Sequence, residues 1–214
     1  YEKLSHRSAV VRLLVGGRAV STARKGEEAE VVLRETPFYG EMGGQVGDSG
    51  LIRGPRGELL VSEAVKPLPG LIVHRGRITE GQLASDDEVE AIVDEARRRD
   101  IACNHTATHL LQAALRRVLG SQVAQRGSVV APERLRFDYS HLTAPSPQEL
   151  ARVQRIVNES VRGDLPVTAE ELPYNEAVGR GAIAIFGEKY GDTVRMLEVQ
   201  GVGAELCGGT HLER

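Results

Sequence analysis

The sequence predicts an α+β protein: a small N-terminal β-barrel followed by an α+β domain in which a sheet packs against helices. Three observations carry this expectation. Before residue 85, short apolar runs alternate with Gly- and Pro-containing breaks, the pattern of short strands in a small barrel or sandwich. After residue 85 the apolar spacing lengthens towards the helical period. Helices and strands then mix without regular alternation, which argues against a parallel α/β sheet. The expected division is 1–85 for the barrel, with a Gly-rich loop, and 86–214 for the α+β domain.

In chain order, RSAVVRLLV, AEVVLRET, QVGDSGLIR, GELLVSEAV and GLIVHRGRI each read as a strand, punctuated by GG, KG, GPRG and PLPG. SDDEVEAIVDEARRRD reads as a helix with Ser85 as N-cap and acidic residues in its first turn. A second helix is expected from about Ile101 to Leu119, stopping at Gly120. QVAQRGSVV and RLRFDYSHL follow as strands. Within the latter, Phe137 and Tyr139 alternate with Arg136 and Asp138, so the two aromatics are read as core. A further helix starts near Pro147, capped by Ser146, and PVTAEELP, AIAIFG and TVRMLEVQ read as strands.

Composition narrows the function. The chain has 214 residues, 41% apolar and 27% charged, ordinary values for a globular protein large enough to need no disulfides. Aromatics make up 4% and Trp is absent, so stacking on nucleobases is not a major binding device. The net charge of −3 argues against a dedicated nucleic-acid binder. Arg97–Arg99 and the pair Arg116 and Arg117 are local basic clusters, read as solvated faces. Two cysteines, Cys103 and Cys207, point to a reducing, cytoplasmic setting. No apolar run is long enough to span a membrane. A chain that begins at Tyr1 and not Met reads as a piece of something longer.

One constellation carries chemistry. In CNHTATHLLQAALRRVLG, His105 and His109 lie one helical turn apart. Stepping about 100° per residue puts Leu110, Leu111, Ala114, Leu115 and Val118 on the opposite side. The histidines share their side with Gln112 and Arg116, so they are expected to point into a cleft or into water. Thr106 stands where the zinc proteases need a Glu, which excludes that class. Further along, ELCGGTHLE sets Cys207 and His211 four apart around Gly208 and Gly209. The Gly pair allows a tight turn in which a thiolate and an imidazole face one point. Three imidazoles and a thiolate suit tetrahedral zinc. Cys103 faces elsewhere on its helix. Four protein ligands close a tetrahedral shell, so the ligand count alone fits a structural zinc as well as a catalytic one.

HTATHLL together with CGGTH resembles the editing domain of alanyl-tRNA synthetases and the free-standing alanyl-tRNA editing proteins. VAQRGSVV, RLRFDYSH, AIAIFGEKYGDTVRMLEV, ELCGGTH and TPFYGEMGGQVGDSG also look like that family. The resemblance implies zinc held by His105, His109, Cys207 and His211. It implies hydrolysis of serine or glycine wrongly esterified to alanine tRNA. It places Gln125 in the editing pocket, where its amide could orient a water or the ester. It also packs the Gly-rich loop over that pocket, with Thr36, Gln45, Gly43 and Gly44 as substrate contacts. Nothing resembles an ATP-binding adenylation domain. A free-standing editing protein, a tRNA-binding module with a structural zinc, and a small-molecule zinc hydrolase stay as alternatives.

The proposed specificity has a physical logic. One methyl discriminates by only about 1–3 kcal/mol, so an alanine pocket admits glycine, and serine adds only a hydroxyl. An editing pocket must therefore recognise that hydroxyl by hydrogen bonds, and Thr36 is the expected partner. Asp138, Glu188 and Asp192 could act as bases but are read as structural.

Overall fold

The computed structural model describes residues 3–184 and 190–214. The chain divides into two compact units, Tyr1–Asp100 and Ile101–Arg214.

The first unit is built from β1 (Ser5–Val15), β2 (Arg18–Ala19), β3 (Thr22–Arg24), β4 (Glu28–Leu33), β5 (Gly50–Arg53), β6 (Gly57–Leu68), β7 (Leu71–Ala84) and β8 (Glu88–Val93). Six of them close an antiparallel barrel in the order β1, β4, β7, β6, β5, β8 and back to β1. Closure removes the exposed sheet edges. Alternate residues point inward, and Val10, Leu13, Val31, Ile52, Leu59 and Ile78 are fully buried in one core. The five strands expected before residue 85 are present.

The segment expected to open a helix at Ser85 is instead strand β8. Its Val89, Ala91 and Val93 are buried while Glu88 and Glu90 are exposed, a period of two that only a strand satisfies. It pairs with both β1 and β5 and so closes the barrel. Of the acidic residues that resembled a helical first turn, Asp86 and Asp87 make the turn into β8, where the Asp87 carboxylate accepts from the Ala84 N–H and pairs with Arg56, and Glu88 lies on the strand's solvent face. The helix starts later, as α1 (Glu95–Leu119). Asp94 does the capping: its carboxylate accepts from the Arg97 N–H at 3.1 Å.

The Gly-rich segment between β4 and β5 folds back on its own barrel. Met42 and Gln45 bond each other's backbone around Gly43 and Gly44, whose φ values are +61° and +86°, as a type I′ turn requires. A Cβ on Gly47 would lie 1.8 Å from the Ala64 carbonyl oxygen, so glycine there permits backbone to pack on β6. Asp48 accepts from the Tyr39 N–H and pairs with Arg98. Arg98 also donates to the Pro37 carbonyl, and Arg97 to that of Gly47. Arg98 is 6% exposed; this part of the basic cluster is an internal brace and not a solvated face.

The second unit holds most of α1, then β9 (Gln125–Ala131), β10 (Arg134–Tyr139), α2 (Pro147–Arg162), β11 (Val167–Pro173), α3 (Tyr174–Gly179), β12 (Thr193–Val199) and β13 (Gly203–Leu206). Helix α2 starts as expected, with a complete capping box between Ser146 and Glu149. Strands β9 and β10 form a hairpin. Phe137 and Tyr139 pack with Leu115, Leu119 and Val153 of the helices, as core aromatics should. Strands β11, β12 and β13 form an antiparallel sheet whose Leu172, Val194, Met196 and Leu206 pack on Ala177 of α3. Of the strand expected at AIAIFG, Ile183 makes a single bridge to Glu205; Ile185, Phe186 and Gly187 lie outside the described residues, as does Glu188.

Candidate metal centre

Helix α1 supplies the first two ligands. His105 is 8% exposed and Gln112 is 3% exposed, so of the two surroundings expected for this face, a cleft or water, it is not water. The apolar stripe is buried too, through Leu110, Ala114 and Leu115. The helix is therefore covered on more than its apolar side, with Cys103 among its exposed positions.

Strand β13 delivers the other two. It ends at Leu206, and the chain then turns through Gly208 and Gly209. Arg195, on neighbouring β12, clamps the turn. Its guanidinium donates to the carbonyls of Cys207 at 3.1 Å and Gly209 at 2.7 Å, and its own carbonyl accepts from the Cys207 N–H at 3.0 Å. The ligand atoms of His105, His109, Cys207 and His211 thereby lie within 4.8 Å of one another. Cys207 Sγ is 3.4 Å from His105 Nε2 and 3.2 Å from His211 Nε2.

These four residues fit a tetrahedral ion. Metal–ligand bonds of about 2.0–2.3 Å set neighbouring ligand atoms about 3.3–3.6 Å apart, close to the spacing found. A second observation is independent of distance. His109 Nε2 is buried with no hydrogen-bond partner, a costly arrangement unless something accepts its lone pair. Nε2 is the ring nitrogen left to face the cluster, because His109 Nδ1 lies 2.8 Å from Glu205 Oε2, and a carboxylate can only accept. Carboxylate, imidazole and metal in line is the usual support for a zinc-bound histidine. Thr106 plays a similar part for His211: its hydroxyl lies 3.4 Å from Nδ1 and accepts from the Leu212 N–H at 3.2 Å.

The electrostatics agree. Burial would raise the Cys207 thiol, but the imidazoles of His105, His109 and His211 outweigh it and hold the thiol well below its ordinary value. Burial also opposes charge on His109, yet Cys207 and Glu205 push that imidazole up to about 10. His211 is lowered to about 4 by burial, against the pull of Cys207. A thiolate is the form that binds metal.

Glu205, Thr106 and Arg195 are the residues that sequence reasoning did not single out. Glu205 and Thr106 had a signal, since each adjoins a motif, in ELCGGTH and HTATH. Arg195 had none, because its role depends on the pairing of β12 with β13.

The remaining candidates are placed as follows. Gln125 opens β9 in the second unit, half-buried, and its amide donates to Ser128 Oγ at 3.1 Å. Asp138 is exposed and pairs with Arg136, and Asp192 is exposed. Thr36, Gly43, Gly44 and Gln45 belong to the first unit. Thr36 is half-buried, Gly43 and Gly44 are exposed, and Gln45 is fully enclosed. Among the described residues no helix is long and apolar enough to cross a membrane.

Comparison with known proteins fits this picture. Residues 1–97 match the family model described as tRNA synthetases class II (A). The alanine–tRNA ligase of Chloroflexus aurantiacus is 50% identical across 99% of the chain, which spans 25% of that protein. The alanine–tRNA ligase of Dehalococcoides mccartyi is 51% identical over 99% of the chain and 25% of its own length. That of Desulfitobacterium hafniense is 49% identical over 99% and 24%. The chain spans about a quarter of the length of these curated relatives. Along nearly its whole length, then, it is similar to a stretch of the alanine–tRNA ligases, and its first unit carries a class II tRNA synthetase (A) family match.

Proposed function

We propose that this chain is the editing portion of an alanine–tRNA ligase, a zinc-dependent hydrolase of seryl and glycyl esters on alanine tRNA. The observation that carries the reading is the buried cluster of three imidazoles and a thiolate with one orphaned ring nitrogen. Similarity across 99% of the chain to alanine–tRNA ligases supplies the substrate class.

Bound at His105, His109, Cys207 and His211, zinc would supply positive charge that activates a water or holds the substrate in place. The chain's own residues do the rest. Glu205 engages His109 Nδ1, so Nε2 is the ring nitrogen left to bind the ion. Arg195 holds the turn that carries the thiolate. Gln125 spends its amide N–H on Ser128, leaving the carbonyl oxygen to accept from a water or from the substrate's ammonium. Thr36 is the partner offered to the serine hydroxyl, with Gln45, Gly43 and Gly44 as neighbouring contacts on its loop. The ester is already reactive, so positioning and charge suffice without a protein nucleophile, and Cys207 as a metal-bound thiolate is a poor one.

A closed shell of four protein ligands also favours a second reading, a tRNA-binding module whose zinc is structural. Deacylation of seryl-, glycyl- and alanyl-tRNA by the chain, with Gln125→Ala alongside, separates the two. Editing predicts turnover of the first two esters, little of the third, and a fall of about 100-fold in Gln125→Ala. A structural zinc predicts no turnover of any.

A further inference from the structure

Thr36 shares its hydroxyl with an unusual partner. Thr36 Oγ1 lies 2.7 Å from Nε2 of His74, a residue of β7 that is fully buried. The other ring nitrogen, Nδ1, lies 2.9 Å from the Val31 carbonyl on β4. A carbonyl only accepts, so Nδ1 carries the proton. Phe38, itself fully buried, packs edge-on against the imidazole with centroids 5.0 Å apart and fixes the ring. Burial holds the ring neutral, lowering it to about 4 against the bond to Val31. A neutral ring protonated at Nδ1 has a bare lone pair at Nε2. The Thr36 hydroxyl must therefore donate its only proton to His74. The Phe38 N–H takes one of its lone pairs, at 3.2 Å. What remains is a single acceptor site on a half-buried oxygen.

We infer that His74 is a positioning residue that fixes the Thr36 hydroxyl as a hydrogen-bond acceptor, so that it selects a ligand bearing a donor. On the editing reading, on which this rests, that donor is the side-chain hydroxyl of the misattached serine. Alanine carries a methyl group there and leaves the acceptor unpaired; glycine carries nothing. Serine is then recognised by polarity and direction, and glycine passes without this contact.

Two matched variants test it. In His74→Asn the amide can replace the Nδ1 bond to Val31 but has no atom at the Nε2 position. In His74→Gln the amide oxygen can occupy the Nε2 position and accept from Thr36. The ratios of seryl to glycyl and seryl to alanyl hydrolysis are measured in both, after thermal unfolding confirms that each is folded. Nitrogen NMR reads the ring tautomer in the wild type. The expected result is a neutral ring protonated at Nδ1, with ratios about tenfold lower in His74→Asn and restored in His74→Gln. The fall should lie in seryl-tRNA kcat/KM. A ring protonated at Nε2, or a folded His74→Asn with wild-type ratios, overturns the inference while the editing reading stands. Failure of the wild type to hydrolyse any of the three esters overturns the editing reading and the serine assignment together. Unfolding of His74→Asn moves the same comparison to Thr36→Ser, expected to keep the ratios, and Thr36→Val, expected to lose them; equal ratios in those two also overturn it.

Discussion

The Cys–His cluster of the second unit and the Gly-rich loop of the first both look like sites in sequence, yet they differ in how completely their bonds are met. In the loop, the Asp48 carboxylate is taken by Tyr39 and Arg98, and the Tyr39 hydroxyl donates to the Met42 carbonyl. Gly47 presses on the backbone of β6. In the cluster, a buried imidazole nitrogen has no partner and a thiolate is surrounded by rings that could all be ligands. A closed set of bonds marks a structural device, whereas a buried nitrogen beside a thiolate and two further imidazoles offers donors that suit a metal ion. The Thr36 hydroxyl, at the entrance to the loop, keeps one acceptor site after bonding His74 and the Phe38 N–H.

The comparison breaks most visibly at Gly47. If the loop is a packing device, Gly47→Ala forces a Cβ into the Ala64 carbonyl and should cost about 3 kcal/mol or more in equilibrium unfolding. A cost near zero would mean that the loop is loosely held. A comparable effect attends acid. His74 is lowered from 6.5 to about 4 in the folded barrel, so between those values the unfolded chain binds a proton that the folded chain refuses. Stability is full above pH 6.5 and is lost as pH falls towards 4, by roughly 3 kcal/mol in all. Denaturant titrations at several pH values should show that slope in the wild type and lose it in His74→Gln.

Smaller effects sharpen the other side. Glu205→Gln keeps the shape but removes the charge that orients His109, and should weaken zinc binding by about 10- to 100-fold in a competition assay. Undiminished affinity would reduce Glu205 to packing. Gly43→Ala meets open space but sits at φ +61°, so it should cost only about 1 kcal/mol. That is well below Gly47→Ala, although the two glycines look alike in sequence.

The sequence was most legible where local chemistry decides. The N-cap at Ser146, the alternation at Phe137 and Tyr139, and the grouping of His105, His109, Cys207 and His211 as candidate ligands follow from spacing or motif. It was least legible where tertiary pairing decides. Asp86 and Asp87 before EVEAIV imitated a helix start, but the barrel's last strand follows them and they form the turn that leads into it. The histidine face of α1 read as meeting either a cleft or water, because periodicity reports one buried side and cannot say what covers the others. The residues His74, Arg195 and Arg98 act through strands and carbonyls distant in sequence, and nothing local announces them.

On the proposed reading, His105, His109, Cys207 and His211 close on one ion. X-ray absorption at the zinc edge, on protein loaded with one equivalent of zinc, measures this directly. One sulfur at about 2.3 Å and three nitrogens at about 2.0–2.1 Å are predicted, with the sulfur contribution lost in Cys207→Ala. An oxygen-dominated shell, or a spectrum unchanged in that variant, would contradict it.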